Sequence, residues 1–132
     1  MLRYLACPAL VTLAACSGQP DAAPEPAITL DAPALIGKDR AGVDGLLGEP
    51  VCNQESKGLS CEYGEYTSVF FVDGKAANVT LPRAEDLGVY GLELGEPTFE
   101  QGNTTRWETT IDGKKAEVSR FPDFVYVMTF EA

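Results

Sequence analysis

Apolar and polar positions along the chain follow two kinds of pattern, one helical and one typical of strands. The first helical pattern follows Asp39, where Val43, Leu46 and Leu47 have the i, i+3, i+4 spacing of one helix face. Aspartate caps helix N-termini, and Gly48 with a proline two residues later is typical of a helix end. The pattern therefore predicts a short helix between these caps, with its apolar face packed on a sheet.

Three strand signals follow this helix. Residues 59–63, 66–72 and 75–81 are rich in β-branched and aromatic side chains or alternate in polarity. Asp73-Gly74 lies between the last two segments, and an Asp-Gly pair is a strong signal for a two-residue hairpin turn. The sequence therefore predicts an antiparallel hairpin, with a further strand before it.

The same order of signals recurs in the second half. Gly-Val-x-Gly-Leu occurs at residues 42–46 and 88–92, and Gly-Glu-Pro occurs at 48–50 and 95–97. Three more strand signals then follow, with Asp112-Gly113 between the first two. They cover residues 104–111, 114–119 and 124–130. In the last segment Phe124, Tyr126, Met128 and Phe130 share one face because strand side chains alternate.

These patterns predict an α+β fold of two α-β-β-β units, about 35–82 and 83–132, with short helices packed on antiparallel sheet. Two such units can bury apolar surface that one unit alone leaves exposed. Chance similarity between glycine-rich turns is the alternative explanation of the repeat.

The N-terminal segment has a different character. Arg3 precedes an apolar run, residues 4–15, which is shorter than the roughly 20 residues of a membrane-spanning helix. The run ends in Leu13-Ala14-Ala15-Cys16, and small residues before a cleavage point are typical of a secretory signal peptide. These four residues resemble the signal of bacterial lipoproteins. The resemblance implies removal of residues 1–15 and lipidation of Cys16. Ser17 in the next position implies delivery to the outer membrane, with the lipid-anchored domain facing the periplasm.

Residues 16–34 lack any periodic apolar face. They contain four prolines, Pro20, Pro24, Pro26 and Pro33. Such a composition favours extended polyproline conformations over a packed core. We therefore expect a tether over residues 16–34 and a folded domain over 35–132.

Charge and histidine content narrow the function classes. The chain has 20 acidic and 10 basic residues, a net charge of −10 at pH 7 and no histidine. An acidic surface repels nucleic acid, so we expect no nucleic-acid partner, and partners that are neutral, basic or bridged by cations. The lack of histidine removes the most common general base and metal ligand. We expect no cofactor and no bound metal.

Two cysteines remain in the predicted domain. Cys52 and Cys61 lie nine residues apart, and an oxidising periplasm favours a disulfide between them. A metal pair or a redox switch is the alternative. Two thiols without histidine make a poor zinc site, and the spacing is not Cys-x-x-Cys.

The first unit resembles a known family. The resemblance rests on Gly48-Glu49-Pro50 after a short helix, then Tyr63 or Tyr66, then Phe71-Val72-Asp73-Gly74-Lys75. These residues are similar to the SmpA/OmlA (BamE-like) outer-membrane lipoprotein domain, which folds as helices against a three-stranded sheet. The resemblance covers residues 35–82 well and the second half weakly. It implies a binding module, an accessory of barrel assembly in the best-known case. A tandem arrangement is similar to that of the β-lactamase inhibitory proteins, which bind enzymes.

The candidate partner-binding residues are aromatic. Aromatic side chains anchor interfaces and also build small cores, and both readings stay open here. The candidates are Phe99, Trp107, Tyr63 and Tyr66. A cluster of exposed aromatic residues on the sheet face away from the helices would favour recognition.

The sequence therefore predicts a protein that is not an enzyme, anchored to the membrane by lipid and binding another envelope protein. The alternative is an enzyme inhibitor, whose loops after Pro50 and Pro97 would protrude. A third hypothesis is a carboxylate enzyme. It requires a concave pocket in which two or more of four glutamates face each other: Glu49, Glu62, Glu96 and Glu108.

Overall fold

A computed structural model describes residues 29–130 of the protein. Residues 1–28 and 131–132 lie outside the described part. The predicted signal peptide, the lipidation of Cys16 and most of the predicted tether therefore fall outside it.

A single antiparallel sheet of eight strands dominates the fold of residues 29–130. The strands are β1 (Val51–Glu55), β2 (Gly58–Gly64), β3 (Thr67–Val72), β4 (Lys75–Pro82), β5 (Phe99–Gln101), β6 (Thr104–Ile111), β7 (Lys114–Arg120) and β8 (Phe124–Thr129). Their order across the sheet is β1-β2-β3-β4-β8-β7-β6-β5. Each half of the chain is thus a four-stranded meander, and the last strands of the two halves pair in the middle.

The two Asp-Gly pairs form the predicted hairpin turns. Asp73 and Gly74 have φ of 53° and 80°, and Asp112 and Gly113 have 55° and 76°. Positive φ at both central residues gives the turn a twist that matches the flanking strands, which is why Asp-Gly is favoured there. These turns fix the pairing of β3 with β4 and of β6 with β7.

The helices are short. α1 is Ala32–Leu35, α2 is Arg40–Leu47, and a 3₁₀ helix covers Leu87–Tyr90. α2 is the predicted first helix: the Asp39 carboxylate accepts from the Gly42 N–H at 2.8 Å, and Gly48 with φ 98° ends it. Its predicted apolar stripe is only partly buried, since Val43 is fully buried but Leu46 is 60% exposed.

The predicted α+β fold class of two α-β-β-β units is wrong, because the fold is dominated by its sheet. The second Gly-Val-x-Gly-Leu segment forms only the 3₁₀ helix, which ends at Gly91 in a left-handed conformation. The segments after both Gly-Glu-Pro motifs are additional strands, β1 and β5, which form the two edges of the sheet. Residues 51–55 and 99–101, which the sequence patterns did not assign to strands, therefore become strands by pairing with their neighbours.

The hydrophobic core lies on one face of the sheet, under the helices. β4 and β8 contribute its centre, where Val79 is opposite Val127 and Leu81 is opposite Val125, all fully buried. Leu35 also packs into this core. The helices are stabilised by this burial rather than by their length, since helices this short are marginal alone in water.

The folded domain begins earlier than residue 35, so the predicted boundary of the tether is wrong. Thr29 donates its backbone N–H to the Val89 carbonyl at 2.8 Å, and Ala32 is fully buried in α1. Pro33 lies in the first turn of this helix, where its fixed φ suits the helical backbone. A proline that the composition assigned to extended tether thus begins a helix.

Cys52 and Cys61 form a disulfide bond. They lie directly opposite each other on β1 and β2, with their Cα atoms 4.0 Å apart. The Cys61 side chain is fully buried, whereas β1 is a mostly exposed edge strand. The bond therefore ties the edge of the sheet to its core.

Among residues 29–130 there is no helix with the length and apolar character needed to cross a membrane.

Candidate binding surface

The face of the sheet opposite the core carries the candidate site. Strand side chains alternate between faces, so the neighbours of buried residues on β3, β4 and β8 point to this second face. Those neighbours are half-buried by one another, and no helix of residues 29–130 covers them. We call this surface the open face. Its principal residues are Phe70, Val72, Asn78, Thr80, Phe99, Arg106, Glu117, Ser119, Phe124, Tyr126 and Met128.

The open face is built as two rows that cross the strands. The registers place one row along β3, β4, β8 and β7 and the second along β4, β8, β7, β6 and β5. The first row is Phe70, Asn78, Met128 and Glu117, and the second is Thr80, Tyr126, Ser119, Arg106 and Phe99. Cross-strand neighbours have Cβ atoms about 5 Å apart, so each row is a continuous surface.

Arg106 organises the end of the second row. Its guanidinium lies 5.1 Å from the centre of the Phe99 ring, its Nε donates to Ser119 Oγ at 3.3 Å, and Nε lies 3.5 Å from a Glu117 oxygen. These contacts hold the Phe99 ring, which is 39% exposed, in a defined position at the sheet edge. An exposed ring fixed in this way is suited to bind a partner without a large loss of side-chain entropy.

Tyr126 lies at the centre of the open face. Burial raises the pKa of its phenol above the usual value, which further favours the neutral hydroxyl. A tyrosine in this state offers an apolar ring together with one hydrogen-bond donor and acceptor. The middle of the face is therefore both apolar and capable of hydrogen bonding.

The four predicted partner-binding residues do not form one surface. Phe99 is on the open face, whereas Trp107 is on the core face and only 9% exposed, with the Arg120 guanidinium 5.4 Å from its ring. Tyr63 is half-buried under α2, and Tyr66 is 48% exposed in the turn between β2 and β3. Only Phe99 thus belongs to the candidate site.

Tyr63 is a structural residue in this fold. Its hydroxyl donates to Asp44 Oδ1 at 2.7 Å, which joins β2 to α2. Burial, and then the hydrogen bond to this carboxylate, raise the pKa of the phenol well above its usual value. The side chain serves the packing of a helix on the sheet.

Sequence reasoning missed the centre of the open face, although one signal was present. Phe124, Tyr126 and Met128 do share a face of β8, but the smaller Val125 and Val127 between them fill the core. The alternation of large side chains with smaller β-branched ones on β8 therefore indicated that both faces of this strand are apolar. One face packs in the core and the other belongs to the open face.

The structure lacks the geometry expected for the two alternative functions, an enzyme inhibitor with protruding loops and an enzyme with facing carboxylates, among residues 29–130. The segments after Pro50 and Pro97 are edge strands rather than protruding loops. All four glutamates proposed for catalysis are exposed, and only Glu108 lines one of the clefts described for residues 29–130. Within the same residues no group of three or more cysteine and carboxylate side chains is placed to hold a metal ion.

Comparisons of the chain with protein-family models, with curated proteins and with solved structures gave no match. The resemblance to the SmpA/OmlA domain thus rests on the short motifs of residues 35–82 alone.

Proposed function

We propose that this protein is a lipid-anchored protein of the outer membrane, facing the periplasm, that binds another envelope protein through the open face. The observation that carries the proposal is the open face itself: apolar and aromatic side chains on the central strands, without a covering element among residues 29–130. Sheet faces of this kind are normally packed on a core or solvated by polar side chains. A half-buried Phe70, Tyr126 and Met128 fit neither case well.

The chemistry of the face suits protein recognition. Tyrosine, phenylalanine, methionine and arginine are enriched at the centres of interfaces, and the open face has all four. The Arg106 cluster adds polar contacts at the rim, where hydrogen bonds give specificity. The resemblance to the SmpA/OmlA domain favours a component of outer-membrane barrel assembly as the partner.

The proposal is tested by photocrosslinking in intact cells. A photoreactive phenylalanine analogue is placed at Tyr126 and Phe70 on the open face, and at Leu46 and Tyr66, which are exposed elsewhere. We expect a discrete crosslinked protein from the first two positions and none from the other two.

The matched pair Tyr126→Glu and Leu46→Glu provides the control. Each adds one negative charge, the first on the open face and the second at an exposed position of α2. We expect the first to abolish the crosslink formed from Phe70 and the second to leave it intact. Crosslinks from Leu46 or Tyr66 alone, or none from the open face, would show that the binding surface is elsewhere.

A further inference from the structure

The lysines of this acidic chain are concentrated at one end of the sheet. Antiparallel pairing places the β1–β2, β3–β4 and β6–β7 turns together at that end. Lys57, Lys75 and Lys114 lie in or next to these turns, Lys115 follows, and the Lys38 carbonyl accepts from the Ala76 N–H at the start of β4. These five are all of the lysines in the chain. The lysines thus share this end with Glu55, Asp73 and Asp112, in a chain whose net charge is −10.

Arginine rather than lysine makes the ion pairs of the described chain. Within residues 29–130 the three salt bridges are Arg40–Asp44, Arg83–Glu85 and Arg106–Glu117. The lysine ammonium groups of this region are therefore more than 4 Å from any described carboxylate. Their positive charge remains to be balanced by solvent ions or by a ligand.

A cleft lies on the open face at this end, and we call it the lysine cleft. It has a volume of about 280 Å³ and is lined by Lys57, Lys75 and Lys114. Its apolar lining is formed by four side chains, Phe70, Val72, Met128 and Phe130. None of the described residues that line it is acidic, in a chain with twice as many acidic as basic residues.

The lysine cleft also contains a polar group that lacks a partner. Asn78 lines it, and the Oδ1 atom of this amide is buried without a hydrogen bond from the described chain. An amide oxygen accepts hydrogen bonds, and neither a carboxylate nor a hydrocarbon chain donates one, so the proposal below rests on the three lysines and the apolar lining rather than on this atom.

From this juxtaposition we propose that the lysine cleft binds a single-chain anionic amphiphile, with its aliphatic chain on Phe70, Val72 and Met128 and its carboxylate among the three lysines. The proposal goes beyond binding of an envelope protein and does not depend on it. The charge of the lining is complementary to an anionic head, and its floor is complementary to a hydrocarbon chain. The volume is near the lower limit of ligand pockets, about 300 Å³, which suits one chain rather than two.

The strands around the cleft argue against an extended peptide as the occupant. β3, β4 and β8 each pair with a strand on both sides, so their backbone N–H and C=O groups are already used. Peptides that bind to sheets usually add a strand to a free edge. This cleft instead offers apolar side chains and ammonium groups, which together match an anionic amphiphile.

The test is titration of the full chain with decanoate below its micellar concentration. Binding is followed by backbone amide NMR shifts and by calorimetry. We expect saturable one-to-one binding with a dissociation constant below about 1 mM. The shifts should centre on Phe70, Val72, Asn78 and Met128. Acetate, which lacks the chain, and decyltrimethylammonium, which reverses the charge, should not bind at this site.

Two charge variants complete the test. Lys57→Gln/Lys75→Gln/Lys114→Gln should weaken decanoate binding about tenfold or more, since three charge contacts are lost. Lys38→Gln removes a lysine of the same end that does not line the cleft, and should leave binding unchanged. Met128→Lys, which blocks the floor, should abolish the shifts.

Three results would overturn the proposal. One is the absence of saturable decanoate binding, and another is equal binding of decyltrimethylammonium. The third is binding that the triple variant leaves unchanged. Dimerisation that is lost in the triple variant, without decanoate binding, would assign the cleft to a second copy of the chain and equally exclude the proposal.

Discussion

At the scale of single residues, one side-chain contact joins the helical layer to the sheet. The Tyr63 hydroxyl donates to Asp44 on α2, and Arg40 approaches the other oxygen of the same carboxylate at 3.3 Å. Asp44 thus receives a hydrogen bond from the strand and an ion pair from its own helix. Val43 is the one fully buried residue of α2 and Leu47 packs against the core in part, so this polar contact adds to a small apolar contact between helix and sheet.

Replacing Tyr63 by phenylalanine tests that contact. We expect the free energy of unfolding at pH 7 to fall by about 1 kcal/mol, because a hydrogen bond to a charged group is lost at a partly exposed site. Urea unfolding followed by circular dichroism measures the change. Tyr66→Phe, at an exposed turn position, is the matched control and should unfold like the wild type.

The same residue gives an alkaline pH dependence. The folded state raises the pKa of Tyr63, so this phenol holds its proton more tightly in the folded chain than in the unfolded one. Its stabilising contribution is complete below the unfolded value of about 10 and is lost as the pH rises above it. Burial raises the pKa of Tyr90 and Tyr126 in the same direction. The wild type should therefore lose stability more steeply than Tyr63→Phe between about pH 9 and pH 11.

At the scale of elements, local signals predicted the hairpins but not the edges of the sheet. β3, β4, β6 and β7 have β-branched residues and Asp-Gly turns, and these features act through neighbouring residues. β1 is polar and almost wholly exposed, so no alternation marks it, and it depends on pairing with β2 and on the disulfide. β5 has only three residues, all exposed. Such strands form because a neighbouring strand offers hydrogen bonds, which a pattern within one segment does not reveal.

The candidate surface likewise depends partly on the pattern within single strands and partly on how distant elements pack. The sequence indicated that the aromatic residues of β8 share one face, and that face exists. It did not indicate which face the helices cover, because that depends on where α1, α2 and the 3₁₀ helix pack. Trp107 was therefore placed among the candidate binding residues although it packs on the core face, and Phe70 was overlooked.

Two glycines of β2 allow a matched test of strand packing. A Cβ atom at Gly58 would overlap the Phe71 carbonyl oxygen of β3, whereas a Cβ at Gly64 would meet nothing within 4 Å. We expect Gly58→Ala to destabilise the fold by about 1–3 kcal/mol, since the backbones of β2 and β3 must separate. Gly64→Ala should change stability by less than about 0.5 kcal/mol. Thermal or urea unfolding of the two variants measures the difference, and equal effects would contradict the close approach at Gly58.

At the scale of the whole molecule, the lysines are gathered at one end of the strands, whereas carboxylates, among them Glu55, Asp73 and Asp112, lie at both ends. The lysines lie at the end with the Asp-Gly turns, while Glu62, Glu65, Glu85 and Glu100 lie at or beyond the other ends of their strands. Composition alone predicted a uniformly acidic surface and hence no anionic partner. The fold changes that expectation, because pairing of distant strands brings together lysines that are scattered in the sequence.

The cellular location of the protein, anchored to the outer membrane through Cys16, is a prediction for the full chain. If Cys16 is lipidated, the mature protein should partition into the detergent phase of an envelope extract and gain the mass of its acyl chains. Cys16→Ser should remain uncleaved and lack that mass, because the acylated sulfur is missing. Intact-mass spectrometry of the two chains makes the comparison, and an unmodified wild-type Cys16 would contradict the proposed anchor.

The place of β8 in the sheet has a consequence for how the chain reaches its native state. This strand follows the other seven strands of residues 29–130 along the chain, yet it lies between β4 and β7 at the middle of the sheet. Until it arrives, β4 has an unsatisfied edge, and Val79 and Leu81 lack the valines that face them. A chain that lacks β8 would thus expose an unpaired, apolar strand edge at β4, and such edges promote aggregation. Folding of the sheet is therefore completed by β8, and loss of this one strand should be more damaging than its six residues suggest.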